Sequence, residues 1–386
     1  MRLTGKHRAR IMLIALASAL GSNAMAAGDQ AGIDASVQQA ARKVMQQYGI
    51  PGLAIAVTVK GERHFYNYGV ASRTTNQAIT RDTLFEVGSV SKTLNVTLAA
   101  YAEAKGRLSL SSSPSRYLPE LKGSELDQVT LINLATHTAG GFPLQLPDEV
   151  RNDRQLMDYY RSWQPRFAPG TYRTYANPGI GLLGVVTAST FGLPYAKAME
   201  VELLPRLGMA NTFVEVPASA MPRYAQGYNK EDAPVRLTPA VLADEAYGVK
   251  TSSQDLLRFV EVNLGLAQAD ADLQRAIDTT RTGYYQLGAM TQDLIWEQYP
   301  YPVALDALLE GNGSRMALES MAVTALNPPT PPQAAVWVNK TGSTNGFGAY
   351  VAFVPAKKLG IVLLANKNYP NEERVKLAYR ILGQLE

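Results

Sequence analysis

Ser89-Val90-Ser91-Lys92 places a hydroxyl three residues before an amine, at the start of a run that reads as a helix. At that spacing both side chains share one helical face, about 5–6 Å apart at Cβ. A serine hydroxyl is a poor nucleophile until a neighbour takes its proton. A helix N-terminus beneath it adds positive potential where an oxyanion would form. Alone, Ser-x-x-Lys is a weak signal, because a serine at a helix start is more often a cap. Two further triplets add weight. Tyr175-Ala176-Asn177 follows the turn Pro169-Gly170-Thr171 and precedes another helix, so it sits on a loop that can display side chains. Lys340-Thr341-Gly342 ends a strand-like run and is followed by Ser343, Gly346 and Gly348. Glycine there lets a ligand approach the backbone closely. Helix start, loop and strand end, in this order, together point to covalent catalysis by a serine.

The elements that must hold these residues are legible around them. Asp34–Tyr48 is expected as an amphipathic helix with Val37, Ala41, Val44 and Met45 on one stripe, ended by Gly49 and Pro51. Gly52–Val59, the turn Lys60-Gly61-Glu62 and the alternating run His64–Val70 predict a hairpin. Ser89–Lys105 reads as a helix with Val90, Leu94, Leu98 and Tyr101 on one face, and Pro178–Phe191 and Ser253–Leu264 as two more. Asn327–Pro332 is expected as a proline-rich loop. Strands follow at Ala334–Asn339, Gly348–Val354 and Gly360–Leu364, then a final helix over Glu372–Leu385. Strands at both ends with helices between them predict an α/β (α+β) fold: an antiparallel sheet built from the two termini, flanked by helices, with an inserted all-helical domain. The expected division is residues 27–106 with 331–386 as the α/β domain, and 107–330 as the mainly helical insertion.

Composition narrows the chemistry. The chain has 386 residues, no cysteine and three histidines, His7, His64 and His137. Thiolate nucleophiles, disulfides and Cys-ligated metals are excluded, and the histidines are too few and scattered for a zinc hydrolase, so neither metal nor cofactor is expected. No Gly-x-Ser-x-Gly elbow is present, which disfavours a Ser-His-Asp hydrolase. His64 reads as a solvated strand residue, His137 as a capping or packing residue, and Trp163, Trp296 and Trp337 as core or pocket wall. Arg2, Lys6, Arg8 and Arg10, an apolar run Ile11–Leu20 and Ala24-Met25-Ala26 form a leader with cleavage expected near Ala26/Ala27, and hence export to the periplasm. The run is about half of the roughly 20 residues that span a bilayer. The formal net charge of +4 resides in that leader, whose four basic residues face no acidic one. The remaining chain is balanced, which argues for no nucleic-acid partner and no membrane partner after cleavage.

The three motifs resemble those of the serine β-lactamase and penicillin-binding-protein superfamily. The tyrosine-first middle motif is similar to class C (AmpC-type) enzymes rather than class A, where Ser-Asp-Asn is expected. The likeness runs through Leu84–Lys92, Leu144-Gln145, Glu245–Lys250, Met290-Thr291-Gln292, Asn339–Pro355 and Ala365–Asn371, essentially the whole chain after the leader. His137 departs from the tyrosine common at its place. The resemblance implies a monomer that hydrolyses β-lactams, cephalosporins in particular. It implies Ser89 as the acylated nucleophile, Lys92 as its proton partner and Tyr175 as general base, with Lys340 supporting both Tyr175 and the substrate carboxylate. Backbone N–H groups of Ser89 and Ser343 would form the oxyanion hole. Gln145 and Asn177 would hold the acylamide side chain, with Tyr247 lining the pocket. Thr341, Gly342, Asn368, Asn371 and Arg374 would flank the carboxylate end.

A tyrosine base is physically feasible. Bringing a phenol from a pKa of about 10 to about 7 needs roughly 4 kcal/mol. An ammonium about 4 Å away supplies up to about 4 kcal/mol at an effective dielectric near 20, and two lysines are at hand. Burial takes some of that back, so Lys92 stays open as an alternative base. A D-alanyl-D-alanine carboxypeptidase or an esterase would share Ser89, Lys92 and Tyr175. A penicillin-binding sensor would need a membrane connection, for which no span is seen.

Overall fold

In the computed structural model, residues 32–385 are described; the expected leader lies outside them. The helices that frame the sheet and the site are, in chain order, α1 (residues 32–48), α2 (Ser91–Ala104), α3 (Leu131–Ala135), α4 (Asn177–Phe191), α5 (Ala243–Tyr247), α6 (Ser253–Asn263) and α7 (Asn371–Leu382). The strands of the main sheet are β1 (Gly52–Val59), β2 (Glu62–Gly69), β3 (Gly283–Leu287), β4 (Met290–Gln292), β5 (Glu297–Pro300), β6 (Thr324–Thr330), β7 (Val336–Ser343), β8 (Gly348–Val354) and β9 (Leu359–Ala365).

These nine strands pair antiparallel in the order β6-β3-β4-β5-β7-β8-β9-β1-β2. The two ends of the chain meet where Leu53 pairs with Ala365. Period-two alternation divides the central strands between two faces. Leu53, Ile55, Val57, Tyr350, Ala352, Ile361 and Leu363 join one core with Val37 and Ala41 of α1 and Val375 and Ile381 of α7. Ala54, Ala56, Val351, Phe353, Val362 and Leu364 join the other with Leu94 and Leu98 of α2 and Leu256 and Val260 of α6. Covered on both faces, β8 and β9 are apolar and fully buried along their lengths. Each large aliphatic side chain so buried contributes about 1.5–3 kcal/mol.

Helix α2 is buried from Ser91 through Ala102 because a second body packs on its other side. There Val96, Leu134, Ile180, Leu183 and Ala246 bring α2, α3, α4 and α5 into a third core. Helix α4 opens with Pro178 in its first turn and stops at Gly192, which is left-handed at φ 67°. Among the described residues no single helix is long and apolar enough to cross a membrane.

Two expectations are corrected. Residues 107–330 are not uniformly an inserted helical unit, because 283–300 and 324–330 supply four strands of the sheet. Their runs are only three to seven residues long, with the β3–β4 turn at Gly288 (φ 57°). Part of the proline-rich segment, Asn327–Thr330, belongs to β6 rather than to a loop. β6 lies at the edge of the sheet, where a proline withholds an N–H that no outer strand requires, and its pairing with β3 shifts register between Ala325 and Thr330.

Candidate active site

Ser89 lies in a 3-10 turn, Gly88–Val90, that runs directly into α2. The turn is pressed against the end of β7 so closely that side chains are excluded. A Cβ on Gly342 would stand 2.0 Å from the Val87 carbonyl oxygen, and one on Gly88, at φ 50°, would stand 2.5 Å from Ser343 N. These two glycines bring the backbone of Ser343 against that of the serine turn.

One helical turn on, Lys92 Nζ donates to Ser89 Oγ at 2.9 Å and to the Ala246 carbonyl of α5 at 2.9 Å. It is fully buried. None of its partners is a carboxylate, so burial pulls the ammonium down to about 8, the charge of Tyr175 and a hydrogen bond with it holding it up and Lys340 pressing it lower. Tyr175 mirrors it. Burial works to raise the phenol, but Lys340, Lys92 and a hydrogen bond with Ser89 outweigh that and bring it to about 8. The Lys92 and Lys340 ammonium nitrogens lie 5.3 and 5.2 Å from the centre of the tyrosine ring. The Ser89 hydroxyl thus meets an amine and a phenol each brought to about 8, groups able to take a proton from a serine.

The chain reaches Tyr175 through the short strand Tyr172–Thr174, which pairs with Ser320–Ala322, and leaves it as α4. Asn177 Nδ2 donates to Gln145 Oε1 at 3.0 Å. Gln145, Asn177, Tyr247 and Asn368 line a cleft of about 550 Å³ that opens onto Ser89, Tyr175 and Ser343. A narrower cleft of about 190 Å³ on the same three residues is lined by Lys340, Thr341, Gly342 and Asn371. Twelve of the residues singled out from sequence therefore converge, counting Lys92 beneath Ser89.

Arg374 does not face either cleft. Its guanidinium is fully buried, with Nη1 donating to the carbonyls of Gly342 (2.7 Å) and Ala349 (3.3 Å) and to Ser343 Oγ (3.0 Å). Nη2 donates to Asn368 Oδ1 (2.5 Å) and to the Tyr369 carbonyl. The expected place at a substrate carboxylate is corrected: Arg374 braces the wall that carries Ser343 and Asn368.

Three further residues carried no motif. Arg173 is buried beside Tyr175 and donates to Glu297 (2.9 Å), Gln292 (2.7 Å) and the Met316 carbonyl (2.7 Å). Glu86, three residues before the nucleophile candidate, accepts from Tyr224 Oη (2.6 Å), Leu237 N (2.7 Å) and Thr344 Oγ1 (2.6 Å), tying the loop at 237 to the β7–β8 turn. An isolated acid inside the apolar run Leu84–Val87 was its one signal. His137, read as capping or packing, lies against Tyr175 itself.

With this geometry in view, comparison with known proteins is informative. A family model described as Beta-lactamase matches residues 37–386. A β-lactamase of Lysobacter lactamgenus is 53% identical over 365 residues, 95% of each chain. A solved structure described as β-lactamase/D-alanine carboxypeptidase from Pseudomonas syringae superposes with a TM-score of 0.91 at 58% identity, covering 92% of this chain and 99% of that one. A class C β-lactamase solved in complex with cefoxitin superposes with a TM-score of 0.89 at 51% identity, covering 92% and 99%.

Proposed function

The chain belongs to the β-lactamase family and is a class C enzyme, a hydrolase; on that premise we propose that it opens β-lactams through an acyl-enzyme on Ser89. The observation that carries this reading is the 2.9 Å contact from Lys92 Nζ to Ser89 Oγ beside a phenol brought to about 8. Ser89 Oγ attacks the lactam carbonyl carbon while its proton passes to Tyr175, deprotonated, or to a neutral Lys92. The developing oxyanion is held by the Ser89 and Ser343 N–H groups, each such donor worth about 10²–10³ in rate. The C–N bond breaks, and the ring nitrogen takes up the proton. A water that gives its proton to Tyr175 then attacks the ester, and Ser89 leaves with a proton returned to it.

Gln145 and Asn177 hold the acylamide side chain against Tyr247. Lys340, Thr341 and Asn371 receive the substrate carboxylate, with Asn368 on the adjoining wall. The solved relative that binds cefoxitin supports a cephalosporin leaning. The leader at residues 1–26 supports export to the periplasm, where the enzyme acts as a monomer. The division into an α/β body and a helical body, with the cleft between them, fits the separate cores.

The test is purified protein mixed with a chromogenic cephalosporin. Sustained turnover in the wild type, with neither turnover nor a mass adduct in Ser89→Ala, is the expected result. An adduct retained in Ser89→Ala overturns the nucleophile assignment. The Pseudomonas syringae relative, described as carrying both activities, favours D-alanyl carboxypeptidase activity as a second reading. A long-lived stoichiometric adduct without turnover would select it.

A further inference from the structure

His137 grips Tyr175 from both sides. The residues flanking the tyrosine each donate a backbone N–H to it: Thr174 N to the His137 carbonyl at 2.8 Å, and Ala176 N to His137 Nδ1 at 3.3 Å. Between these two anchors the imidazole lies against the phenol, ring centres 4.2 Å apart and planes inclined by 40°. The hold requires an uncommon backbone, for His137 stands at φ 60°, a left-handed conformation that asparagine, aspartate and histidine adopt more readily than other side chains. The residue is buried at 4% exposure.

The ring's chemistry suits a holder rather than a relay. Because Nδ1 accepts the Ala176 N–H, the single proton of a neutral imidazole sits on Nε2. Nε2 is buried and has no hydrogen-bond partner among the described residues, so the ring is held through Nδ1 alone. The groups that bear charge around the phenol are Lys92 of α2, Lys340 of β7, Arg173 two residues before it and Glu297 of β5. Burial, together with Arg173, Lys92 and Lys340, holds His137 well below the usual imidazole range and so uncharged.

We infer that His137 is a positioning residue, holding the phenol oxygen of Tyr175 between the two ammonium groups through the acceptor Nδ1 and the flat face of its ring. The inference rests on Tyr175 being the proton acceptor. A phenol free to swing away from Lys92 and Lys340 loses part of what lowers its pKa, so loosening the hold moves the acidic limb of activity toward higher pH. Sub-ångström displacement also slows the proton transfer itself.

The test compares His137→Ala with His137→Asn in pH profiles of kcat/KM, with melting midpoints measured alongside. Alanine has no acceptor. Asparagine tolerates the left-handed backbone and places Oδ1 where Nδ1 lies. Expected for His137→Ala is a loss of about 10- to 100-fold, carried mainly by kcat, with the acidic limb displaced upward. His137→Asn restores the limb and most of the rate. Should His137→Ala fail to fold, His137→Gly, which also accepts φ 60° but offers no acceptor, takes its place. Wild-type rate and limb in the acceptor-free variant, or His137→Asn as impaired as that variant, overturns the inference. Tyr175→Phe separates the two readings. An inactive phenylalanine variant beside a wild-type-like His137→Ala removes the positioning role alone, whereas a fully active one removes the base role and the positioning role with it.

Discussion

Lys92 and Arg374 are both cations withdrawn from water near the end of β7, and their surroundings are opposite. Arg374 meets five acceptors, three of them carbonyls that the fold itself must satisfy. Burial lowers it to about 10, with Tyr369 holding it up, and it stays charged at neutral pH. Lys92 meets three, the Ser89 hydroxyl, the Ala246 carbonyl and the Tyr175 phenol, and burial brings it to about 8. A guanidinium surrounded by backbone oxygens is a brace. An ammonium with few partners is a proton donor or acceptor within reach of physiological pH. On the proposed mechanism the same desolvation serves architecture in one place and chemistry in the other, and the number of acceptors separates the two.

Removing each cation should expose that difference. Lys92→Ala should lower kcat/KM by about 10²–10⁴-fold while leaving the urea midpoint close to wild type; loss of fold with intact specific activity in the folded fraction would reverse the assignment. Arg374→Leu should do the opposite, stranding several buried acceptors at a cost of at least about 3 kcal/mol. Urea denaturation measures it, and Arg374→Lys should rescue little, because one compact ammonium cannot serve five divergent acceptors. The smallest effect concerns pH. Lys340 lowers both Tyr175 and Lys92. Its removal in Lys340→Ala therefore raises both, and the acidic limb of kcat/KM, expected near 8 in the wild type, should move upward. A limb that stays in place would assign it to another group.

How much of this was legible in the chain depended on whether function was local in sequence. Ser89 and Lys92 are one helical turn apart, and Tyr175-Ala176-Asn177 and Lys340-Thr341-Gly342 are contiguous, so spacing and order mark them as candidates, and the fold brings them together. Arg173 and Glu297 meet across 124 positions and belong to no short motif. Arg374 was placed in the right neighbourhood but on the wrong surface, because Asn368 and Asn371 face the clefts while the next helical turn faces inward. Strands β3 to β5 were passed over because runs of three to five residues hold too few alternations to stand out. The Asn327–Thr330 part of β6 reads as loop because its prolines are tolerated only by virtue of the edge position. His137 reads as a capping or packing residue, and its partner, the tyrosine 38 positions later, is not deducible from either residue alone.

The central claim is that Tyr175 gives up its proton near neutrality because two lysines face it in a buried site. Selective ¹³Cζ labelling of tyrosine, with the Tyr175 resonance assigned by its loss in Tyr175→Phe, reads that proton directly. The account predicts a titration centred near 8 that moves upward in Lys340→Ala. A Tyr175 resonance that remains that of a neutral phenol up to pH 10, or one indifferent to Lys340, would contradict it.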